Sequence, residues 1–570
     1  MSSPTERDAA GFFIRGQEFA STGRIDQAAQ AYREAIAADP RFVPALFALG
    51  QVERRRGDYW SAEAHLAKAL ALSAHDSAAR DIAAAAMADL LGSLSFDRYA
   101  AERDDELKLC LETPSVDAQH LAAVLARHLM LKYPAILDDP KPVARDPLWI
   151  ALLTRTVNVD AEMEQLLTRL RRELLVSNTG ANGLSQTVAR IIPPLALQAF
   201  AGEYVWPVTP DEQALLGQSA PLLLASLYAP LRALTDRTGA HRLKRDRLTR
   251  LLVRRTFDDL AREAELAEAM PSLAKPGSDS VAGAVRQQYE ENPYPRWLAP
   301  PAPRREPLGD LLARTAGLNR SILPHRPHSV LIAGCGTGYE AVGLARTDPE
   351  LNLTAIDLSR ASLAHAARLA DETEISNARF FQADLRDIGL LGESFDVIYS
   401  TGVLHHMAEP ADGLRALAGV LTPGGAMRLG LYSRRARAPV NAARALIAAR
   451  GWPATPEGVR AFRAHVLALP DSDTLSALRH GKDFFSLSGC RDLVFHVQEH
   501  QFDLHEIASM LKDAGLIFAS LDPPADVRAQ FATRFGESAD QRDLGMWDQL
   551  EAEDTTLFAG MYLIWCQKPR

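Results

Sequence analysis

The chain has 570 residues, 47% of them hydrophobic, and a formal net charge of −9. Its length exceeds one ordinary hydrophobic core, so two to four domains are expected. The acidic balance excludes a protein that binds nucleic acid mainly through a broad phosphate-neutralising surface. Four scattered cysteines without a C-x-x-C pair argue against a disulfide framework or a structural zinc site.

Residues 8–90 carry a repeat with a spacing of 34 residues. Two glycine pairs and two alanine pairs are identical across this spacing, and such small residues let paired helices pack closely. The repeated positions are Gly16, Phe19, Gly23, Ala28, Tyr32 and Ala35, followed by Gly50, Glu53, Gly57, Ala62, Leu66 and Ala69. The pattern resembles tetratricopeptide repeats, so residues 1–94 are predicted to form an all-α repeat module. Ordinary helices that match by chance are the alternative.

Residues 95–275 are predicted to form a helical middle domain. Apolar residues recur every three or four positions at 121–131, 148–157 and 166–175, which is the period of an amphipathic helix. We identify no catalytic motif in this segment, and its role stays open. A linker-like composition at 274–280 indicates that a third domain follows, at residues 276–570.

A glycine loop follows the first predicted strand of this third domain. Gly334, Gly336 and Gly338 are spaced by two, which lets the backbone turn tightly and leaves no side chain in the way of a ligand. A dinucleotide loop of the usual kind has its third glycine one residue later, where Tyr339 stands. Asp357 ends the next predicted strand, at the spacing where nucleotide-binding α/β folds present an acid to ribose hydroxyls. A strand-end cap is the alternative for Asp357.

Strands and helices alternate between residues 330 and 432. This alternation predicts a doubly wound, parallel α/β sheet, in which ligands bind beyond the carboxyl ends of the strands. The order of motifs, with a third strand that ends at Asp384, resembles class I S-adenosylmethionine-dependent methyltransferases. The resemblance covers about residues 281–570, and it implies a Rossmann-like sheet with a final antiparallel hairpin at 516–521 and 558–567.

The resemblance implies S-adenosylmethionine as the cofactor. Asp384 would then face the adenine amino group, with the cap of a turn as its alternative. Many members of the family carry an acid near position 333, where this chain has Ala333, so Glu340 or backbone groups are expected to hold the methionine end. The predicted cofactor-binding residues are Gly334, Gly336, Gly338, Asp357, Leu358, Asp384, Leu385, Ser400, Tyr289 and Tyr294.

The segment 288–297 precedes the sheet and combines two prolines with a cluster of aromatic residues. The prolines disfavour helix, and a segment in this place can fold over a cofactor and exclude water. It resembles a Y-E-x-N-P-Y-P-R-W element of bacterial methyltransferases fused to such repeats. Tyr289, Tyr294 and Trp297 are therefore predicted to contact cofactor or substrate. An interdomain hinge packed for stability is the alternative.

Three histidines are candidate catalytic residues. His405 and His406 follow the fourth strand, where the acceptor usually enters, and a neutral imidazole suits a base near pH 7. His496 lies in a predicted substrate-side insertion at 433–503, which starts at the carboxyl end of a central strand. His496 and His500 fit H-x-x-E-H, a zinc motif when helical. No third ligand is evident, so no metal site is predicted, and structural roles stay open.

Three functions are consistent with these patterns. The first is a methyltransferase for a protein or peptide, because the concave face of repeats commonly holds peptide segments. The second is a small-metabolite methyltransferase that uses its repeats for assembly into a homo-oligomer. The third is a scaffold that binds the cofactor without turnover. The N-terminus lacks a signal peptide and no apolar run spans a bilayer, so we expect a cytoplasmic protein without membrane or specific nucleic-acid partners.

Overall fold

The computed structural model describes residues 4–73, 76–179, 184–218, 220–273, 280–301, 307–315, 317–324, 328–536 and 538–570. The chain divides into two compact units, one of Met1–Gln198 with Thr209–Leu227 and the other of Ala199–Val208 with Tyr228–Arg570. The three-part division made from the sequence stays a prediction, and its boundary at 275–276 lies outside the described residues. No helix in the described ranges combines the length and apolar character needed to cross a membrane.

The first part of the chain consists of helices joined by loops, with no strand among its described residues. Its helices are α1 (Pro4–Ser21), α2 (Ile25–Ala38), α3 (Val43–Arg55), α4 (Tyr59–Leu72), α5 (Ser77–Ser93), α6 (Glu102–Glu112), α7 (Ala122–Lys132), α8 (Pro147–Arg155), α9 (Ala161–Asn178), α10 (Gln186–Ala201), α11 (Pro210–Gly217) and α12 (Leu222–Ala225). Short 3₁₀ turns at Ala118–Leu121 and Lys141–Arg145 connect some of them.

The repeated glycines lie where two helices of a pair come closest. Gly16 in α1 faces the buried ring of Tyr32 in α2, and a Cβ atom added at Gly16 would overlap that ring. Gly50 in α3 takes the equivalent place, where a Cβ atom would lie 2.7 Å from Cγ of Leu66 in α4. The 34-residue spacing therefore corresponds to a repeated contact between paired helices, while the assignment of these pairs to tetratricopeptide repeats stays a prediction.

Alanine substitutions at two glycines of α1 are expected to change the stability of the protein in opposite directions. Gly11 is exposed and has no atom within 4 Å of an added Cβ, so Gly11→Ala should raise stability by about 0.5–1 kcal/mol through helix propensity. Gly16→Ala should lower it by about 1–3 kcal/mol, because the Tyr32 ring is buried and cannot move freely. Urea-unfolding midpoints measure both changes, and equal shifts of one sign would contradict the packing described.

The second unit surrounds a sheet with helices. Its helices are α13 (Leu231–Leu234), α14 (Arg237–His241), α15 (Arg247–Val253), α16 (Asp259–Ala269), α17 (Ser280–Glu291), α18 (Leu308–Arg314), α19 (Tyr339–Thr347), α20 (Arg360–Glu372), α21 (Pro410–Val420), α22 (Ala438–Arg450), α23 (Pro456–Leu467), α24 (Leu487–Val494), α25 (Leu504–Asp513), α26 (Ala525–Phe535) and α27 (Leu544–Glu553). Its strands are β1 (Ser329–Ala333), β2 (Asn352–Asp357), β3 (Ala378–Gln382), β4 (Phe395–Thr401), β5 (Leu421–Leu431), β6 (Ile517–Leu521) and β7 (Tyr562–Gln567).

The seven strands form one sheet in the order β3-β2-β1-β4-β5-β7-β6. Strands β1 to β5 are parallel, and β7 runs antiparallel to both β5 and β6. Alternate side chains pack on opposite faces, for example Leu331 on one face and Val330 and Ile332 on the other. The mixed sheet confirms the predicted α/β architecture, including the antiparallel strand at its end.

Two strand boundaries differ from those predicted. The last strand begins at Tyr562 rather than Phe558, because Asp554 accepts a hydrogen bond from the backbone N–H of Thr556 and holds the preceding residues in turns. Strand β3 ends at Gln382 rather than at Asp384, whose side chain caps the turn that follows. Strand β5 begins at Leu421, and its register against β4 shifts between Phe395 and Val397, so Gly424 and Gly425 are accommodated by an irregularity within the strand.

Candidate functional site

A cavity of about 490 Å³ opens at the carboxyl ends of the parallel strands. Eight of the ten residues predicted for the cofactor line it, namely Gly334, Gly336, Asp357, Leu358, Asp384, Leu385, Tyr289 and Tyr294. Ser400 and Gly338 are not among its described lining residues, so their prediction as direct contacts is not supported by their placement. Side chains alternate along β4, which turns Ser400 into the protein and leaves Thr401 at the cavity. Gly338 instead lies against α20, where a Cβ atom added at Gly338 would be 2.5 Å from the Cβ atom of Ala366.

The glycine loop has a backbone that L-residues with side chains rarely adopt. Gly334 and Gly336 have φ angles of +75° and +51°. A Cβ atom at Gly336 would lie 2.6 Å from the carbonyl oxygen of Tyr294, and one at Gly334 would overlap Val403. Glycine is therefore required here both for the turn and for the close approach of neighbouring chain segments.

Asp357 lies directly beside this loop, at the end of β2. Its Oδ2 accepts the backbone N–H of Gly336 at 2.8 Å, and its Oδ1 accepts that of Ser359 at 2.9 Å. Burial raises the pKa of Asp357 to about 6, although these backbone donors oppose the shift. An ionised carboxylate keeps further lone pairs after these two bonds, so the group caps the turn and still offers acceptors to the cavity.

Two further acids lie along the same wall. Asp384 caps the following turn by accepting the backbone N–H of Arg386 at 2.9 Å, and it also pairs with the Arg386 guanidinium at 2.7 Å. Glu340 pairs with Nη1 of Arg428 at 3.2 Å, and burial raises the pKa of Glu340 above its usual range. Ala333 is fully buried in the sheet core, whereas Glu340, which follows the glycine loop at the start of α19, lines the cavity.

The segment around residues 289–297 is fixed at the cavity by three polar contacts. The Tyr289 hydroxyl donates to Oδ1 of Asp492 at 2.6 Å, and the Tyr294 hydroxyl donates to Oδ1 of Asp483 at 2.8 Å. Nε1 of Trp297 donates to the Thr337 carbonyl at 3.1 Å, outside the cavity lining. The two tyrosines therefore line the cavity, and their contact with cofactor or substrate stays a prediction, whereas Trp297 anchors the segment to the glycine loop.

The three candidate histidines occupy different environments. His406 lines the cavity, and its Nδ1–H donates to the Gln498 carbonyl at 2.8 Å, which leaves Nε2 as an acceptor. His405 is fully buried and stacks on Tyr432 at 3.9 Å, and neither ring nitrogen finds a partner among the described residues. His496 stacks on His406 at 3.6 Å and lies behind it. Only His406 of the three reaches the cavity.

The H-x-x-E-H segment does not form a zinc motif, because α24 ends at Val494 before it begins. Its Glu499 pairs instead with Arg437 and Arg444. A different trio, His406, Asp492 and His496, has potential ligand atoms within 4.8 Å of one another. Nδ1 of His496 accepts the backbone N–H of Gln498 at 3.1 Å, so the ring proton stays on Nε2, the nitrogen that a metal would need.

The buried histidines are expected to stay neutral well below pH 7. Burial lowers the pKa of His406 to about 4 and that of His496 to about 2. In a histidine-labelled sample, the ¹⁵N shifts of these two rings should report fixed neutral tautomers from pH 8 to pH 5.5. The ring signal of exposed His505 serves as the solvent-accessible reference in the same spectra. A midpoint near 6.5 for His406 would contradict the buried geometry.

Comparisons with known proteins agree with this site. Residues 330–425 match the sequence model of a methyltransferase domain. An uncharacterised protein of Synechococcus sp. is 30% identical over 42% of this chain and 60% of its own length. The 27-O-demethylrifamycin SV methyltransferase of Amycolatopsis mediterranei is 30% identical over 29% of this chain and 60% of its own length. This chain thus spans about three fifths of the length of these curated relatives.

A third curated relative and a solved structure are also similar to part of this chain. The trans-aconitate 2-methyltransferase of Deinococcus radiodurans is 32% identical over 19% of this chain and 40% of its own length. The structure of PKMT2 from Rickettsia typhi aligns with a TM-score of 0.36 and 14% identity, over 46% of this chain and 53% of that one. The domain match and the methyltransferase relatives agree with the resemblance to class I methyltransferases found in the sequence.

Proposed function

We propose that this chain is an S-adenosylmethionine-dependent methyltransferase. The observation that carries the proposal is one cavity wall, in which the glycine loop after β1 and Asp357 at the end of β2 lie side by side, with Glu340 at the start of the following helix. The cavity volume of about 490 Å³ lies within the range of sites that bind small molecules. The methyltransferase-domain match at residues 330–425 supports the same activity.

The cavity residues fit the chemical parts of this cofactor. Asp357 offers carboxylate lone pairs for the two ribose hydroxyls, and Asp384 offers an acceptor for the adenine amino group. Leu358 and Leu385 supply apolar surface beside these acids. Glu340, in the first turn of the helix after the loop, offers an anion for the amino group of the methionine part.

The bound cofactor would supply a methyl group already activated on a sulfonium, so the protein mainly aligns reactants and excludes water. Tyr289 and Tyr294 are held at the cavity by carboxylates of the insertion at residues 433–503. Their fixed rings restrict access of water to this region. Nε2 of His406 is an acceptor within the lining and can hold a proton or orient the attacking group.

The acceptor in this proposal is a protein or peptide recruited by residues 1–94. Support comes from the repeated helical pairs and from two adjacent aromatic residues at the start of α4, Tyr59 and Trp60, which are 43% and 62% exposed. Aromatic side chains of this kind supply much of the binding energy at peptide and protein interfaces. A small-metabolite acceptor and a cofactor-binding scaffold are the competing functions.

The test is to incubate the full-length protein with methyl-labelled S-adenosylmethionine and cell lysate separated by size. The proposal predicts label in the macromolecular fraction, and digestion with protease should release it as small fragments. Label confined to the small-molecule fraction would identify a metabolite enzyme. Cofactor binding without label in any fraction would identify a scaffold.

A further inference from the structure

We infer that the methyl acceptor is the nitrogen of an aliphatic amine, and that Asp492 is the residue that holds it in the cavity. This inference rests on the proposed methyltransferase function and adds the chemical class of its substrate. It follows from the charge of one side of the cavity, the contacts of Asp492 and the balance of hydrogen-bond donors and acceptors around it.

The side of the cavity away from the glycine loop is acidic. Three carboxylates from the region after β4 and from the insertion line it, those of Glu409, Asp412 and Asp492. The cavity lining contains one arginine or lysine among the described residues, Arg386, and its guanidinium is paired with Asp384. Asp412 also pairs with Arg415 outside the lining. A carboxylate or phosphate acceptor would therefore meet like charge in the lining, whereas a cationic amine would be attracted.

Asp492 is the most buried of these acids, with 4% of its surface exposed. Its Oδ1 accepts the Tyr289 hydroxyl, while the two nearby arginines are engaged elsewhere. Nε of Arg437 and Nη2 of Arg444 bind the Glu499 carboxylate at 3.1 Å and 3.0 Å. Within the described part of the chain, this buried carboxylate has one hydrogen bond and lines the cavity, an arrangement that costs free energy and that a bound ammonium would compensate.

The hydrogen-bonding groups near Asp492 are mostly acceptors. Nε2 of His406 carries no proton because Nδ1 donates to Gln498. The Tyr289 hydroxyl donates its proton to Asp492 and accepts the Nε2–H of His496 at 3.2 Å, which leaves it one oxygen lone pair. An amine brings two or three N–H donors to such a surface, whereas a hydroxyl brings one and a carboxylate brings none.

The chemical step balances with these residues. A bound ammonium loses one proton to the Asp492 carboxylate, and the freed nitrogen lone pair forms a bond to the methyl carbon. The bond from that carbon to sulfur breaks, and sulfur keeps the electron pair as a neutral thioether. The product is a methylammonium beside a protonated Asp492, which returns its proton to water.

The experiment uses the full-length protein, methyl-labelled S-adenosylmethionine and total lysate protein, half of which is first acetylated to block its amines. The inference predicts label that is stable to mild base and is lost from acetylated lysate by at least 10-fold. Base-labile label released as methanol would indicate a carboxyl acceptor. That result, or label that survives acetylation unchanged, would overturn the inference while leaving the methyltransferase function intact.

Asp492→Asn provides a readout that separates the acceptor from the cofactor. The variant should label lysate protein at least 10-fold more slowly than the wild type, while the dissociation constant for S-adenosylmethionine in equilibrium dialysis stays within about twofold. Asp513→Asn makes the same chemical change at an exposed position and should behave as the wild type. Wild-type labelling by Asp492→Asn would overturn the role of Asp492, whereas failure of the wild type to bind S-adenosylmethionine would instead refute the proposed function.

Discussion

Replacement of Asp357 by alanine is expected to weaken S-adenosylmethionine binding by about 100-fold or more. In the proposed site this carboxylate accepts hydrogen bonds from two ribose hydroxyls, and each hydrogen bond to a charged group contributes about 1.5–3 kcal/mol. A loss of about 1.4 kcal/mol corresponds to a factor of ten in affinity. The variant also removes the acceptor for the Gly336 N–H, which fixes the loop. Equilibrium dialysis with labelled cofactor measures the change directly.

Asp396→Ala is the matched control for this variant. Asp396 also accepts a backbone N–H in the same sheet, that of Ser329 at 3.0 Å, but it lies at the amino end of β4 and outside the cavity lining. Its replacement should lower stability and leave cofactor affinity within a few-fold of the wild type. Equal losses of affinity in both variants would show that the effect comes from the fold rather than from the site.

The raised pKa of Asp357 predicts how the affinity for S-adenosylmethionine changes with pH. Because burial raises the pKa of Asp357 to about 6, the ionised form that accepts hydroxyl protons is lost as pH falls through 6. Affinity should therefore be full above about pH 7 and decline below pH 6. The decline in affinity should also be measured in Asp357→Ala. The decline that remains in this variant comes from other groups, and the difference from the wild type is due to Asp357.

Gly336→Ala is expected to abolish cofactor binding and to lower stability by more than the cost of an unfavourable φ angle. The residue has a φ of +51°, and an added Cβ would lie 2.6 Å from the backbone oxygen of Tyr294. That oxygen cannot move without displacing the segment that closes the cavity. We expect a loss of about 2–5 kcal/mol, from strain of about 1–2 kcal/mol and overpacking of about 1–3 kcal/mol, measured by thermal or urea unfolding.

Gly392→Ala separates the cost of backbone strain from the cost of overpacking. Gly392 has a similar φ of +66°, but it is exposed and an added Cβ has no atom within 4 Å. The Gly392→Ala variant should lose only about 1–2 kcal/mol of unfolding free energy, from the strain of the left-handed backbone, and its cofactor affinity should be unchanged. If the two alanine variants lose the same stability and both bind the cofactor, the close contact between Gly336 and Tyr294 is not present in solution.

Local patterns were sufficient to predict one wall of the cavity. The spacing of the glycines and the position of Asp357 lie within about 25 residues of one another, and a parallel sheet brings strand ends together by its topology. Ser400 shows the limit of this reasoning. The strand was predicted, but its register decides which of two adjacent residues, Ser400 or Thr401, faces the cavity.

The opposite wall depends on contacts that are distant in sequence. Tyr289 and Asp492 are separated by 203 residues, and no periodicity within either segment indicates that they meet. Asp492 and Asp483 were therefore not predicted as site residues. The histidines were predicted from their positions after β4 and in the insertion, but only packing decides that His406 reaches the cavity while His405 stacks on Tyr432.

The central claim is that this cavity binds the adenosyl sulfonium of S-adenosylmethionine. Titration calorimetry of the full-length protein with S-adenosylmethionine, and in parallel with NAD, tests it most directly. We predict one binding site per chain for S-adenosylmethionine, with S-adenosylhomocysteine competing for it and no heat with NAD. Binding of NAD in competition with S-adenosylmethionine, or the absence of any S-adenosylmethionine binding by a folded sample, would contradict the claim.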